Sequence, residues 1–106
     1  MYTSIRKYRC PPDQVVEVAH RADEGFAPQL EEMDGFVAYQ IVDCGDGTCF
    51  TLTVCRDRES CDRTVEMAAD FVRERLSDIE IERVEASNGE ALVSRARDAV
   101  LEPAHA

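Results

Sequence analysis

Apolar and polar positions recur along this chain with two periods, and the switches between them mark six elements. Residues 2–9, YTSIRKYR, mix aromatic and β-branched residues and stop before Pro11-Pro12, which predicts a first strand. The two prolines followed by Asp13 open a helix. Val15, Ala19, Ala22, Phe26 and Leu30 then recur at three- and four-residue intervals, the stripe of an amphipathic helix. Pro28 lies inside that stripe and should kink or end the helix nearby. After Asp34-Gly35, the segment GFVAYQIVD at 35–43 predicts a second strand, and TCFTLTVCRD at 48–57 a third. Between them Cys44-Gly45-Asp46-Gly47 predicts a hairpin turn, because Gly and Asp-Gly tolerate positive φ. Residues 58–76 carry Cys61, Val65, Ala68, Val72 and Leu76 on one helical face, with Asp57 as a natural N-cap. Ile79 to Ala86 predicts the fourth strand, with Asn88-Gly89 as a turn or bulge and Ala91–Val93 as its continuation.

The order strand, helix, strand, strand, helix, strand with right-handed crossovers gives a four-stranded antiparallel sheet with both helices on one face. This is the α+β, ferredoxin-like β-α-β-β-α-β arrangement. It is expected over residues 1–95, with 96–106 as a C-terminal arm. A regular hairpin turn sets Val37, Tyr39 and Ile41 beside Phe50, Leu52 and Val54, and this large-residue face is expected to pack on the helices. The opposite face then carries Phe36, Ala38, Gln40 and Val42 with Cys49, Thr51, Thr53 and Cys55, with no charge among them. An uncharged sheet face in a chain that is 32% charged needs a cover. A two-fold copy supplies one, since it asks only for self-complementarity. The expectation is a homodimeric α/β barrel joined through Phe36, Ala38, Val42, Cys49 and Cys55; the alternative is a monomer whose C-terminal arm folds over the sheet.

Charge narrows the partners. With 22 acidic against 12 basic residues, the net charge is −10, which disfavours generic nucleic-acid or anionic-membrane binding. No apolar run approaches the ~18 residues of a membrane span, and no apolar stretch follows the basic residues of the N-terminus. A cytoplasmic location is expected. Eleven arginines stand beside one lysine, Lys7, which fits either a high-salt cytoplasm or a GC-rich genome. The five cysteines, at 10, 44, 49, 55 and 61, form no C-x-x-C pair or zinc module, so no metal site is expected. They read as free thiols, with a Cys44–Cys49 bridge across the hairpin as the one redox alternative.

The sequence also resembles the antibiotic-biosynthesis-monooxygenase-like family of dimeric α/β barrels. The resemblance runs from residue 4 to about residue 94. It rests on IRKY at 5–8, MDGFVAY at 33–39, VDCGDGT at 42–48, FTLTVCRDRE at 50–59 and MAADFVRERL at 67–76. It implies a homodimer with a ligand cleft between the sheet and the helices of each subunit. Some members of that family are cofactor-independent oxygenases of aromatic quinols and others degrade haem. The oxygenases often use a Trp, and the haem degraders a His on the second helix with a nearby Asn and Trp. This chain has no Trp, and residues 58–76 contain no His.

The candidate site residues follow from face and residue type. Tyr2, Arg6 and Tyr8 share one face of the first strand. Arg6 and Tyr8, joined by Gln40, Thr51 and Thr53, would line an aromatic pocket suited to a phenolic or carboxylate ligand. Edge packing is the competing reading. His20, beside the apolar stripe of the first helix, is a candidate base near pH 7 or a solvated border histidine, and Tyr8 is the other catalytic candidate. Two functions are carried forward, with enzyme status left open and no cofactor expected. One is a homodimeric scaffold binding a small aromatic molecule; the other is a cofactor-independent monooxygenase of small phenols or quinols.

Overall fold

The computed structural model describes residues 1–97. Strands β1 (Tyr2–Arg9), β2 (Phe36–Gly45), β3 (Thr48–Cys55) and β4 (Glu82–Glu90) form one sheet in the order β2-β3-β1-β4. All neighbouring pairs are antiparallel. Each helical crossover passes over one strand, as the sequence predicted, and the fold is ferredoxin-like α+β.

The first crossover opens with a 3-10 turn at Pro12–Gln14 and continues as helix α1 (Val15–Gly25). The helix breaks at Phe26 and restarts as the short α2 (Ala27–Glu31), whose first turn holds Pro28, where its missing N–H costs nothing. Val15, Val18, Ala22, Phe26 and Leu30 are buried along this path. Helix α3 (Arg58–Arg75) starts at Asp57, whose side chain accepts a hydrogen bond from the Ser60 amide at 2.8 Å. It buries Ser60, Cys61, Thr64 and Phe71, so its inward face is turned slightly from the expected Cys61–Val65–Ala68–Val72 stripe. Arg21 ties α1 to the end of α3: it donates to both carboxylate oxygens of Asp78, at 2.6 and 3.0 Å, and to the Arg75 carbonyl at 3.1 Å.

The hairpin turn is correct in kind and shifted in register. Asp46 and Gly47 both have positive φ, as a primed turn requires. Pairing then slips between Asp43 and Gly45, leaving Cys44 as the extra residue of a bulge. There the Asp43 carboxylate accepts from the Gly45 amide at 2.9 Å. One inserted residue reverses the parity of everything beyond it. Ile41 therefore faces Thr51, and Tyr39 faces Thr53. A second slip at Val37 turns Phe36 back toward the core.

The faces assigned to β3 are thus exchanged. Cys49 and Cys55, expected on a dimer face, are buried beneath the helices, and Phe36 packs on the core with them. Phe50, Leu52 and Val54, expected beneath the helices, alternate with them and lie half-buried on the other side, with Val37 exposed. Ala38 and Val42 do lie on this uncovered side, paired with Val54 and Phe50. The Cys44–Cys49 bridge fails for the same reason: Cys44 is exposed, Cys49 is buried, and all five thiols are free.

Strand β4 also differs from expectation. It runs straight through Asn88-Gly89 and ends at Glu90, while its irregularity lies lower, where pairing with β1 slips between Lys7 and Tyr8. Ala91–Val93 are not strand. Every residue of β4 is exposed, and its charges suit an edge. Beyond Arg97, the expected C-terminal arm lies outside the described residues.

Candidate functional site

The space between sheet and helices is not completely filled. A half-open cavity of about 40 Å³ remains, bounded below by β1, β2 and β3 and above by α1 and α3. At roughly 10–15 Å³ per water, it has room for about three. Its walls are almost wholly apolar. Phe26 anchors the aromatic side, with ring centroids 5.6 Å from Tyr39 (edge-on, 72°) and 5.5 Å from Phe71. At these separations the rings are in contact and hold one another in place.

Of the residues expected to form a site, Arg6, Tyr8 and Thr51 line this cavity together. They meet because β1 and β3 pair with Arg6 opposite Thr51 and Tyr8 opposite Cys49. Thr53 is buried on the same face, opposite Ser4, and is not part of the lining. Gln40 is exposed on the far side of the sheet, opposite Leu52, because the bulge at Cys44 moved its partner strand by one residue. His20 is exposed on α1, 3.4 Å from Glu24, and does not reach the cavity. Tyr39, Phe26, Phe71 and Cys49 line it without having been expected there. The signal for Cys49 was Gly45: two glycines around Asp46 are one more than a two-residue turn needs.

The electrostatics of the lining are dominated by one group. The side chain of Arg6 is 3% exposed, and no carboxylate is buried with it among the described residues. Its guanidinium stands near enough to Tyr8 to favour the phenolate electrostatically. Its Nη2 has no hydrogen-bond partner, and neither does the Oγ of Ser4, two residues earlier on the same face. Burial pushes the Tyr8 phenol above its ordinary value, against the opposing pull of Arg6 and Arg83. Burial pushes Tyr39 further up in the same direction, and lifts the Cys49 thiol to about 11. Tyr8, Tyr39 and Cys49 are therefore protonated at neutral pH, acting as donors or as apolar surface. Among the described residues, no group of three or more His, Cys, Asp or Glu could hold a metal ion. No helix there is long and apolar enough to cross a membrane.

No family model and no curated protein matches this sequence. Solved structures do. HapK from Hahella chejuensis superposes with a TM-score of 0.69 at 20% identity, over 92% of this chain and 98% of its own. A dimeric ferredoxin-like protein from an uncultured marine organism gives 0.70 at 10% identity, over 91% and 98%. A monooxygenase of Streptomyces coelicolor, ActVA-Orf6 in complex with nanaomycin D, gives 0.64 at 12% identity, over 90% and 92%. The fold is that of the antibiotic-biosynthesis-monooxygenase-like proteins. The cavity lining holds an arginine and two tyrosines, and the chain has no tryptophan.

Proposed function

We propose that the protein is a homodimeric small-molecule-binding scaffold that takes an aromatic ligand into the cavity between sheet and helices. The observation that carries this reading is the unfilled, ring-walled cavity with Arg6 and Tyr8 at its base. A protein core of this size is ordinarily packed without such gaps, and a polar group left inside one is costly unless something binds it. The ligand of the S. coelicolor neighbour and the dimeric state of the marine one lend support from the same fold. A second copy suits the uncovered sheet face, where Ala38, Gln40 and Val42 stand against Phe50, Leu52 and Val54 without a charge. Ile5, 42% exposed, extends this patch onto β1 opposite Leu52.

The oxygenase reading is less well served by the lining. Removing a proton from a phenol at neutral pH calls for a base that ionises nearby. The titratable lining groups are instead Arg6, two phenols shifted upward and a thiol near 11. His20, the candidate base, is on the outer surface. Native mass spectrometry in concentrated volatile salt tests the proposal. The expected species has twice the 11.9 kDa chain mass and gains one aromatic molecule per chain on titration. A monomer, or a dimer that takes up no aromatic ligand, would overturn it. Oxygen consumption with a dihydroxy-aromatic substrate would move the conclusion to the oxygenase.

A further inference from the structure

We propose that the ligand is an anion: Arg6 is the docking point for a single carboxylate or acidic phenolate oxygen borne on an aromatic ring. The inference rests on the binding-site reading above and adds the charge of what binds. A guanidinium taken out of water loses several kcal/mol of hydration, which an ion pair can return. Arg6 is the one buried arginine among the described residues, and none of their ion pairs includes it. Tyr8 is its uncharged polar neighbour, and Nη2 has nothing to donate to. A water would satisfy the N–H and leave the charge uncompensated. An anionic oxygen does both, through a charge-assisted bond about twice as strong as a neutral one. The Ser4 Oγ, also without a partner, stands on the same strand face two residues away.

The overall charge of −10 does not decide against this. Carboxylates on the outer surface act through water and salt, where interactions fade over about 8–10 Å. Arg6 acts at contact, in an apolar surround, and Arg83 adds a second cation near Tyr8. The ring-bearing part of the ligand is set by the opposite wall, where Phe26, Tyr39 and Phe71 meet. The open volume of about 40 Å³ is smaller than one ring and Nη2 is covered, so the lining must part to admit the ligand, and a single ring asks less of it than a fused system.

The test compares benzoate with its neutral isostere benzamide, on the wild type and on Arg6→Met. Binding is read by ligand-observed NMR at fixed salt. The wild type is expected to prefer benzoate by about 10- to 100-fold, the range of a hydrogen bond to a charged group. Arg6→Met should bind both alike, at the wild-type affinity for benzamide. Its fold is checked by circular dichroism and dimer mass. If that variant does not fold, the wild-type comparison decides alone.

A parallel titration with 4-nitrophenol distinguishes the two oxygen types. A tenfold preference for phenolate lowers the bound phenol's pKa by about one unit, which is read from its absorbance. Shifted nitrophenol without benzoate preference assigns the site to phenolates, and the converse to carboxylates. Equal affinity for benzoate and benzamide with no nitrophenol shift overturns the inference while leaving an aromatic site. Preference surviving in Arg6→Met, or displacement of benzoate by equimolar chloride, overturns it too. No binding of any of the three compounds overturns the binding-site reading itself.

Discussion

In the two central strands, β1 and β3, the two faces of the sheet carry the reverse of what residue size alone predicts. Beneath the helices β1 and β3 place Ser4, Arg6, Tyr8, Cys49, Thr51, Thr53 and Cys55, mostly small or polar, while β2 adds Phe36, Tyr39 and Ile41. On the uncovered side lie Ile5, Ala38, Val42, Phe50, Leu52 and Val54, with Gln40 among them and Lys7 over the Phe50 ring. If stability of the isolated chain were the only demand, the larger apolar residues would be inside, at roughly 25 cal/mol per Å² of apolar area buried. The exchange is intelligible when each face meets something other than its own helices. On the reading proposed above, the inner face keeps room and a charge for a ligand, and a second copy covers the outer face. The helices supply most of the inner apolar surface, through Val15, Val18, Phe26, Leu30 and Phe71.

The largest effect should come from a charge at the centre of the outer face. Leu52→Asp places a carboxylate, twice by symmetry, in the proposed dimer contact. We expect the dimer dissociation constant to rise on the order of 100-fold or more, because an unpaired charge buried in an interface costs about 3–5 kcal/mol. Sedimentation analysis measures this. If Leu52→Asp remains as dimeric as the wild type, the outer face is covered another way and the comparison fails. The matching test inside is Leu30→Ala, which empties a fully buried site. It should cost about 2–5 kcal/mol of unfolding free energy in denaturant melts, with little change in dimer affinity when measured well below the melting transition.

Arg6→Met sharpens the comparison in the opposite direction. If the arginine is kept for a ligand, replacing it with an apolar side chain should stabilise the ligand-free protein. Exchanges of buried ionic groups for apolar ones have gained about 1–4 kcal/mol elsewhere, and the lower half of that range is expected because the Tyr8 hydroxyl loses its neighbour. A melting temperature below that of the wild type would mean that Arg6 holds the fold together.

How far the sequence reached can be traced to particular residues. Element order and type were legible because the helical stripe from Val15 to Leu30, the Pro28 break and the Asp46-Gly47 turn are local signals. Arg6 and Tyr8 were legible as neighbours on a face because strand parity is local too. What failed was anything that crossed the hairpin. Bulges at Cys44 and Val37 change which residues oppose one another and which way they face, and the sequence alternation of neither strand records it. Gln40 was therefore assigned to the site, and Cys49 and Cys55 to the interface. Phe71 was missed because its place on α3 depends on the helix's rotation by a fraction of a turn, which tertiary packing sets. The uncharged β2–β3 part of the outer face survived the correction, since both parities of those strands lack charge between Ala38 and Val54, apart from Asp43 at the hairpin end; on β1 the same face carries Lys7, opposite Phe50.

The covered face should also respond to alkali where the outer one does not. Burial raises the Cys49 and Cys55 thiols from 9.0 to about 11, and raises Cys10 and Cys61 in the same direction. Between about pH 9 and 11 the unfolded chain gives up protons that the native chain retains. Native protein then binds more protons, and stability falls as pH rises. The contribution is fully present below about pH 9 and is lost toward pH 11. Melting temperatures should decline by several degrees across that window. Cys49→Ala with Cys55→Ala should flatten the decline while lowering the starting value. An equally steep decline in the double variant would assign the effect to Tyr8 and Tyr39 instead.

The smallest effect lies at the bulge that separates the two faces. Cys44 is the residue that the register slip leaves over, and its thiol is exposed, whereas Cys10, Cys49, Cys55 and Cys61 are buried. Thiol–disulfide exchange needs both access and thiolate. The native protein should therefore react quickly at one thiol of its five with an aromatic disulfide reagent, and slowly at the others as the fold opens. Cys44→Ser should remove the fast phase and change stability by no more than about 0.5 kcal/mol. A regular hairpin with no slip would instead leave Cys49 and Cys55 on the uncovered face of each chain. Two or three fast thiols in a monomeric Leu52→Asp background would point to that register, whereas one fast thiol there would place Cys49 and Cys55 beneath the helices even with the partner removed.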